Sequence, residues 1–203
     1  MSGGEHPPVT PHRVFRDFLP EETHAALLVW ALANEHRFMP SPLAGGIIDP
    51  ATRRALSLRD LGPAGAELRS HVAGRVASWI EDLRVTAFEP SEIELEMVAY
   101  GDGAHFVRHI DTYRTRLAAR GDRMLSAVYY FHTEPRRFTG GALRLHRIVP
   151  GGSDGIDIVP ARNTLVVFPS WGPHEVLPVR CASGHFADSR FAVNCWIYRP
   201  RAP

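Results

Sequence analysis

The sequence predicts a mainly β fold, a double-stranded β-helix (jelly roll) core with supporting α-helices on its N-terminal side. Three observations carry this expectation. Helical periodicity is confined to residues before about Leu83; from about Ile93 onward, short apolar or alternating runs are separated by Gly, Pro and Asp clusters; and the number of those runs suits two packed sheets with a cavity between them.

The first eleven residues are polar and rich in Pro and Gly, and read as a flexible arm ahead of a single domain over residues 12–203. An extended segment begins at His12-Arg-Val-Phe-Arg-Asp-Phe-Leu. Pro20-Glu-Glu-Thr then opens a helix to about Phe38, with acids in its first turn and Ala25, Leu28, Ala31 and Leu32 at helical spacing. A second helix is expected from about Ala64 to Leu83, its apolar face made by Leu68, Val72, Val76, Trp79 and Ile80. Between the helices, Met39 to Pro63 is rich in Pro, Gly and Arg. It reads either as a passive surface loop or as a segment shaping a pocket mouth. The strands expected after Pro90 are Ile93 to Ala99, His105 to His109, Leu125 to His132, Ala142 to Ile148, Gly155 to Val159, Thr164 to Phe168, His174 to Val179 and Arg190 to Tyr198.

Composition narrows the function classes. With 203 residues, 44% of them hydrophobic, the chain can bury one sizeable core. Its 23 Lys and Arg against 22 Asp and Glu leave a formal charge of +1, which gives no field for nucleic acid or an acidic membrane surface. Cys181 and Cys195 make neither a disulfide framework nor a cysteine-rich zinc site. The first residues lack the basic flank and apolar stretch of a secretory signal, and the longest apolar run, Ala25 to Ala33, is far short of a membrane span. These features point to a cytoplasmic protein.

The chemistry concentrates in His109-Ile-Asp111. On an extended strand, residues two apart project from one face, so imidazole and carboxylate can reach one ion. His174, opening a later strand, supplies a third donor if the fold sets the two strands side by side. Two imidazoles and a carboxylate on one face of an octahedron leave three positions open, which suits non-haem Fe(II), whereas zinc prefers a tetrahedral site with at most one vacancy. By itself His-X-Asp, in a chain with 11 histidines, is a weak signal and reads rather as a hydrogen-bonded surface pair. The strand Arg190-Phe-Ala-Val-Asn-Cys-Trp196 tips the balance. Arg190 leads one face, with Ala192, Asn194 and Trp196, and a buried guanidinium needs an anionic partner such as a bidentate carboxylate.

From about Glu94 to Tyr198 the chain resembles the prolyl-hydroxylase branch of the Fe(II)/2-oxoglutarate-dependent dioxygenases, including bacterial relatives of the hypoxia-factor-type enzymes. The blocks that carry the resemblance are Met97-Val-Ala-Tyr100, Phe106-Val-Arg-His109-Ile-Asp111, Val128-Tyr-Tyr130, Gly140-Gly-Ala-Leu-Arg-Leu, His174-Glu-Val-Leu-Pro178-Val and Arg190-Phe-Ala-Val-Asn-Cys-Trp196, in that order. The N-terminal half is similar only in being helical. The resemblance implies that His109, Asp111 and His174 bind Fe(II), that Arg190 salt-bridges the distal carboxylate of 2-oxoglutarate, that Tyr130 and Tyr100 add phenols along that co-substrate, and that Leu143, Val176 and Trp196 wall its pocket. It further implies O2 as co-substrate, succinate and CO2 as products, and ascorbate as a reductant. Asp111 argues against a halogenase, where a small residue at this position leaves room for halide. One departure is the longer segment Arg180 to Ser189 before Arg190, which makes Arg180 a rival for the anchoring arginine.

The substrate expected by resemblance is a prolyl residue in a protein or peptide. The rivals are a hydroxylase of a free amino acid or small metabolite, and a metal-bearing jelly-roll binding module without turnover. No basic, aromatic-interleaved stripe supports a nucleic-acid substrate. The loops from Met39 to Pro63 and from Asp111 to Arg123, the latter with Arg114, Arg116, Arg120 and Arg123, stand as candidate borders of a substrate groove, as does Arg136-Arg137.

Overall fold

The computed structural model describes residues 9–112, 121–148 and 154–201. The start of the expected N-terminal arm and three of the four loop arginines, Arg114, Arg116 and Arg120, lie outside the described residues. The chain begins with strand β1 (Arg13–Arg16) and helix α1 (Glu21–Ala33), followed by short strands β2 (Met39–Pro40), β3 (Arg53–Arg54) and β4 (Leu56–Leu58), then helices α2 (Gly62–Ala73) and α3 (Val76–Asp82). The remainder is β: β5 (Glu92–Tyr100), β6 (His105–His109), β7 (Asp122–Phe131), β8 (Thr139–Gly140), β9 (Leu143–His146), β10 (Gly155–Ile158), β11 (Thr164–Pro169), β12 (His174–Val176), β13 (Val179–Arg180) and β14 (Arg190–Arg199). No helix among the described residues is long and apolar enough to cross a membrane.

The helices depart from expectation in three ways. Helix α1 ends at Ala33 rather than near Phe38, because the Asn34 amide and side-chain nitrogen both donate to the Trp30 carbonyl and close the last turn. Its buried stripe is Thr23, Leu27 and Ala31, with His24 beside them, whereas Ala25 is exposed. The expected second helix breaks at Gly74-Arg75 into α2 and α3, yet Leu68, Val72, Val76 and Trp79 still form one buried surface. Pro63 sits in the first turn of α2, where its missing N–H is harmless.

The segment from Met39 to Pro63 is more than a connection: β4 pairs with β5, β2 with β4, and β3 with β6, so it adds strands to both main sheets. Runs of two or three residues are too short to carry a strand pattern, which is why the sequence did not reveal them. The strand expected from His174 to Val179 splits at Leu177-Pro178, where proline has no N–H for a ladder.

Among the described residues, seven strands form the large sheet, in the order β1-β11-β7-β14-β5-β4-β2, and five form the small sheet, β10-β9-β12-β6-β3. Alternation along the central strand β14 assigns the layers. Phe191, Val193, Cys195 and Ile197 are fully buried against the helices, together with Leu27, Leu68 and Trp79. Ala192 faces the other way and packs with Leu143 and Leu145 of the small sheet. Each large apolar side chain so buried stabilises the fold by roughly 1.5–3 kcal/mol. The result is a β sandwich whose large sheet is backed by the helices, with a recess between the sheets.

One polar cluster lies inside the helix-facing core. His24 contacts the Tyr129 hydroxyl at 2.6 Å, Tyr129 donates to Asn163 Oδ1 at 2.9 Å, and Nε2 of His24 is buried without a hydrogen-bond partner among the described residues. Burial therefore lowers the His24 pKa from 6.5 to about 4. Unfolded chains take up this proton near pH 6.5 and the folded protein resists it until about pH 4, so stability falls with acidification across that window. In urea titrations, His24→Asn, which keeps a donor toward Tyr129 but does not titrate, should show a shallower loss of stability between pH 6.5 and 4 than wild type; equal slopes would contradict this.

Candidate active site

His109 ends β6 and His174 begins β12, and the antiparallel pairing of these strands sets the two residues directly opposite each other. Asp111 follows β6 in a bend, its amide held by the Ser170 carbonyl at 2.9 Å. One ligand-type atom from each of His109, Asp111 and His174 lies within 4.8 Å of the others. His109 Nε2 is 3.7 Å from Asp111 Oδ1, and His174 Nε2 is 3.6 Å from Asp111 Oδ2.

The imidazoles are pre-oriented. Nδ1 of His109 lies 2.8 Å from the Val107 carbonyl and Nδ1 of His174 lies 2.9 Å from the Gly172 carbonyl. Since a carbonyl only accepts, the Nδ1 atoms carry the protons and the Nε2 lone pairs point at Asp111. Burial, reinforced by the neighbouring His174, lowers the pKa of His109 and keeps it neutral. Burial pushes the Asp111 carboxyl up, but His174, His109, Arg123 and the Ser126 hydrogen bond outweigh it, and the group stays ionised. Two nitrogen donors and one carboxylate converge from one side, a donor set fit for a divalent iron with open positions.

Strand β6 is irregular. Between the pairs His174–His109 and Val176–Phe106 it carries one residue more than β12, and this bulge turns both Phe106 and His109 toward the cavity, where their rings stack at 3.6 Å. Regular alternation would have put His105 on the same face as His109. Instead His105 hydrogen-bonds the Gly103 and Ala51 carbonyls and does not line the recess.

Of the six residues expected around 2-oxoglutarate, Arg190, Tyr100, Leu143, Val176 and Trp196 line the recess that also contains the three ligand-type side chains. Tyr130 is fully buried and lies against Arg190 rather than in the lining. The Arg190 guanidinium sits 4.8 Å from the ring centroids of both Tyr100 and Tyr130. Its Nε donates to the Gly141 carbonyl at 2.9 Å, while Nη1, Nη2 and the Tyr130 hydroxyl have no hydrogen-bond partner among the described residues. Burial pushes the Tyr130 phenol up to about 12, so it remains a donor. A fully buried cation with two nitrogens left without a hydrogen bond suits an anionic partner, and a carboxylate would fit both. Gly141, at φ +65°, permits this arrangement, since a Cβ there would come within 3.0 Å of Arg190 Cδ. The rival Arg180 is exposed on β13, outside the recess.

Several lining groups carried no signal in the sequence. Ser126 on β7 donates to Asp111 Oδ2 at 2.7 Å. Arg53 on β3, paired at 2.8 Å with Glu96 and nearly buried, lines both the recess and an outer cavity of about 630 Å³. Arg123, named above as a candidate border of a substrate groove, lies on β7 in the lining of the outer cavity, where it bonds Glu94 and the Tyr198 hydroxyl and stacks 3.9 Å over Trp196, an indole shared by recess and outer cavity. Arg136 and Arg137 are exposed.

The family model of the 2OG-Fe(II) oxygenase superfamily matches residues 95–198, about half of the chain. The protein belongs to this superfamily. It is also 29% identical over 188 residues to an uncharacterized PKHD-type hydroxylase of Synechocystis, the alignment covering 90% of this chain and 61% of that protein's length. Among solved structures it resembles a prolyl hydroxylase of Trichoplax adhaerens in complex with a hypoxia inducible factor oxygen degradation domain peptide fragment (TM-score 0.71, 20% identity, 94% of this chain and 84% of that one). A Pseudomonas putida prolyl-4-hydroxylase is similar at TM-score 0.69 and 23% identity, with 94% of each chain covered. At these identities the likeness to the solved structures is one of fold.

The idle guanidinium makes a direct prediction. With Mn(II) present, 2-oxoglutarate at about 100 times its Kd should stabilise the wild type by about 2.7 kcal/mol, read as a rise in Tm. Arg190→Met should fold at least as stably without ligand and lose that response, whereas Arg180→Ala should keep it. The opposite pattern would transfer the anchoring role to Arg180.

Proposed function

We propose that this chain is an Fe(II)- and 2-oxoglutarate-dependent hydroxylase, carried on one domain over residues 12–203, that acts on a prolyl residue in a protein or peptide. The observation that carries the reading is the sharing of one recess by the open-sided set of His109, Asp111 and His174 and by a buried arginine with two idle nitrogens. Iron, 2-oxoglutarate and O2, when bound, supply the oxidation that places a hydroxyl on a C–H carbon while the 2-oxo acid is converted to succinate and CO2.

The chain's own residues hold and shield that chemistry. His109 and His174 offer Nε2 lone pairs fixed by their Nδ1 contacts, and Asp111 offset by its negative charge part of the metal's. Arg190, with the phenols of Tyr130 and Tyr100 beside it, receives the distal carboxylate and so orients the 2-oxo acid end toward the ligands. Leu143, Val176 and Trp196 exclude water from the recess. The outer cavity reaches the ligand set from the surface, bordered by the 42–46 segment on one side and by Ile110 and Thr112 on the other. An opening of this kind admits an extended chain, and the prolyl hydroxylases among the fold neighbours support a prolyl target.

Incubation with Fe(II), 2-oxoglutarate, O2 and ascorbate should give blocked proline-containing peptides one added oxygen, with succinate formed in equal amount. Oxygen added only to free amino acids would favour the small-metabolite reading. Bound iron with no succinate from any substrate would favour a binding module without turnover.

A further inference from the structure

Asp111 is tied at two points, its carboxylate and its amide, and the ties reach across the sandwich. Its Oδ2 accepts from the Ser126 hydroxyl at 2.7 Å, and Ser126 Oγ lies 2.9 Å from Ser170 Oγ. The Ser170 carbonyl in turn accepts the amides of Asp111 at 2.9 Å and Thr112 at 3.2 Å. Ser126 belongs to β7 of the large sheet, whereas Ser170 precedes the His174 strand and Asp111 follows the His109 strand of the small one. Both serines are essentially fully buried. A buried hydroxyl pair has no stabilising advantage over packed apolar groups unless its bonds are used.

We infer that Ser126, steadied by Ser170, is a positioning residue that reserves Oδ2 of Asp111 for a hydrogen bond, so that the carboxylate holds the metal through one oxygen only. Carboxylates bind metals through one or both oxygens. A second Asp111 oxygen on the metal would occupy a position that the 2-oxo acid or O2 requires. The inference rests on the ligand set proposed above.

The test uses Co(II) and Mn(II) as anaerobic probes on the full chain. Ser126→Ala should lower Co(II) affinity by roughly 10–100-fold and reduce the exchangeable waters on bound Mn(II), read by water-proton relaxation, from about three to about two. Ser126→Thr, which restores the hydroxyl, should return both to wild-type values. If Ser126→Ala does not fold, Ser126→Cys, with its weaker donor, should shift both readouts in the same direction. Wild-type affinity and hydration in the folded variant would overturn the inference alone. A wild-type chain that binds neither ion would overturn the ligand set and the inference with it.

Discussion

His174 stands across from His109 in the antiparallel pairing of β12 with β6, and the rest of the site depends on that register. A slip of one residue would turn His174 to the outer face and bring Glu175 inward. The pairing is held from both flanks, by β9 on one side of β12 and by β3 on the far side of β6. The bulge in β6 then adjusts the aim of His109 without disturbing the pair. Sheet geometry thus does what three separate loops would do less rigidly: it fixes two imidazoles before any ion is present.

The large sheet contributes the second half of the site. Its strand β14 carries Arg190 and Trp196 on the face opposite the helix-packed Phe191, Val193, Cys195 and Ile197. The apolar face pins the strand, and the pinned strand holds a cation where no anion among the described residues meets its two outer nitrogens. Membership of the 2OG-Fe(II) oxygenase superfamily, named for iron and 2-oxoglutarate, supports the 2-oxo acid proposed as the partner of Arg190.

Much of this was legible in the sequence because β periodicity and motif order report on residues that face the core. Alternation along Arg190 to Tyr198 predicted which side chains share a face, and the structure agrees. What stayed hidden has local physical causes. The bulge in β6 broke the parity that would have grouped His105 with His109. Strands of two or three residues between Met39 and Pro63 carry no period, so Arg53 at the cavity wall was not foreseen. Ser126 lies within an apolar run where a lone hydroxyl gives no pattern, and its partners, Asp111 and Ser170, are 15 and 44 residues away in sequence. Arg123 looked like one of several loop charges, but its ion pair with Glu94 and its stacking on Trp196 depend on strands brought together only by folding.

The most direct test of the central claim, that His109, Asp111 and His174 hold one iron to which 2-oxoglutarate chelates, is optical. Anaerobic addition of Fe(II) and then 2-oxoglutarate to the folded protein should produce the weak visible charge-transfer band of the chelate, and Asp111→Ala should abolish it. Absence of the band from the intact wild type, or its persistence in Asp111→Ala, would contradict the account.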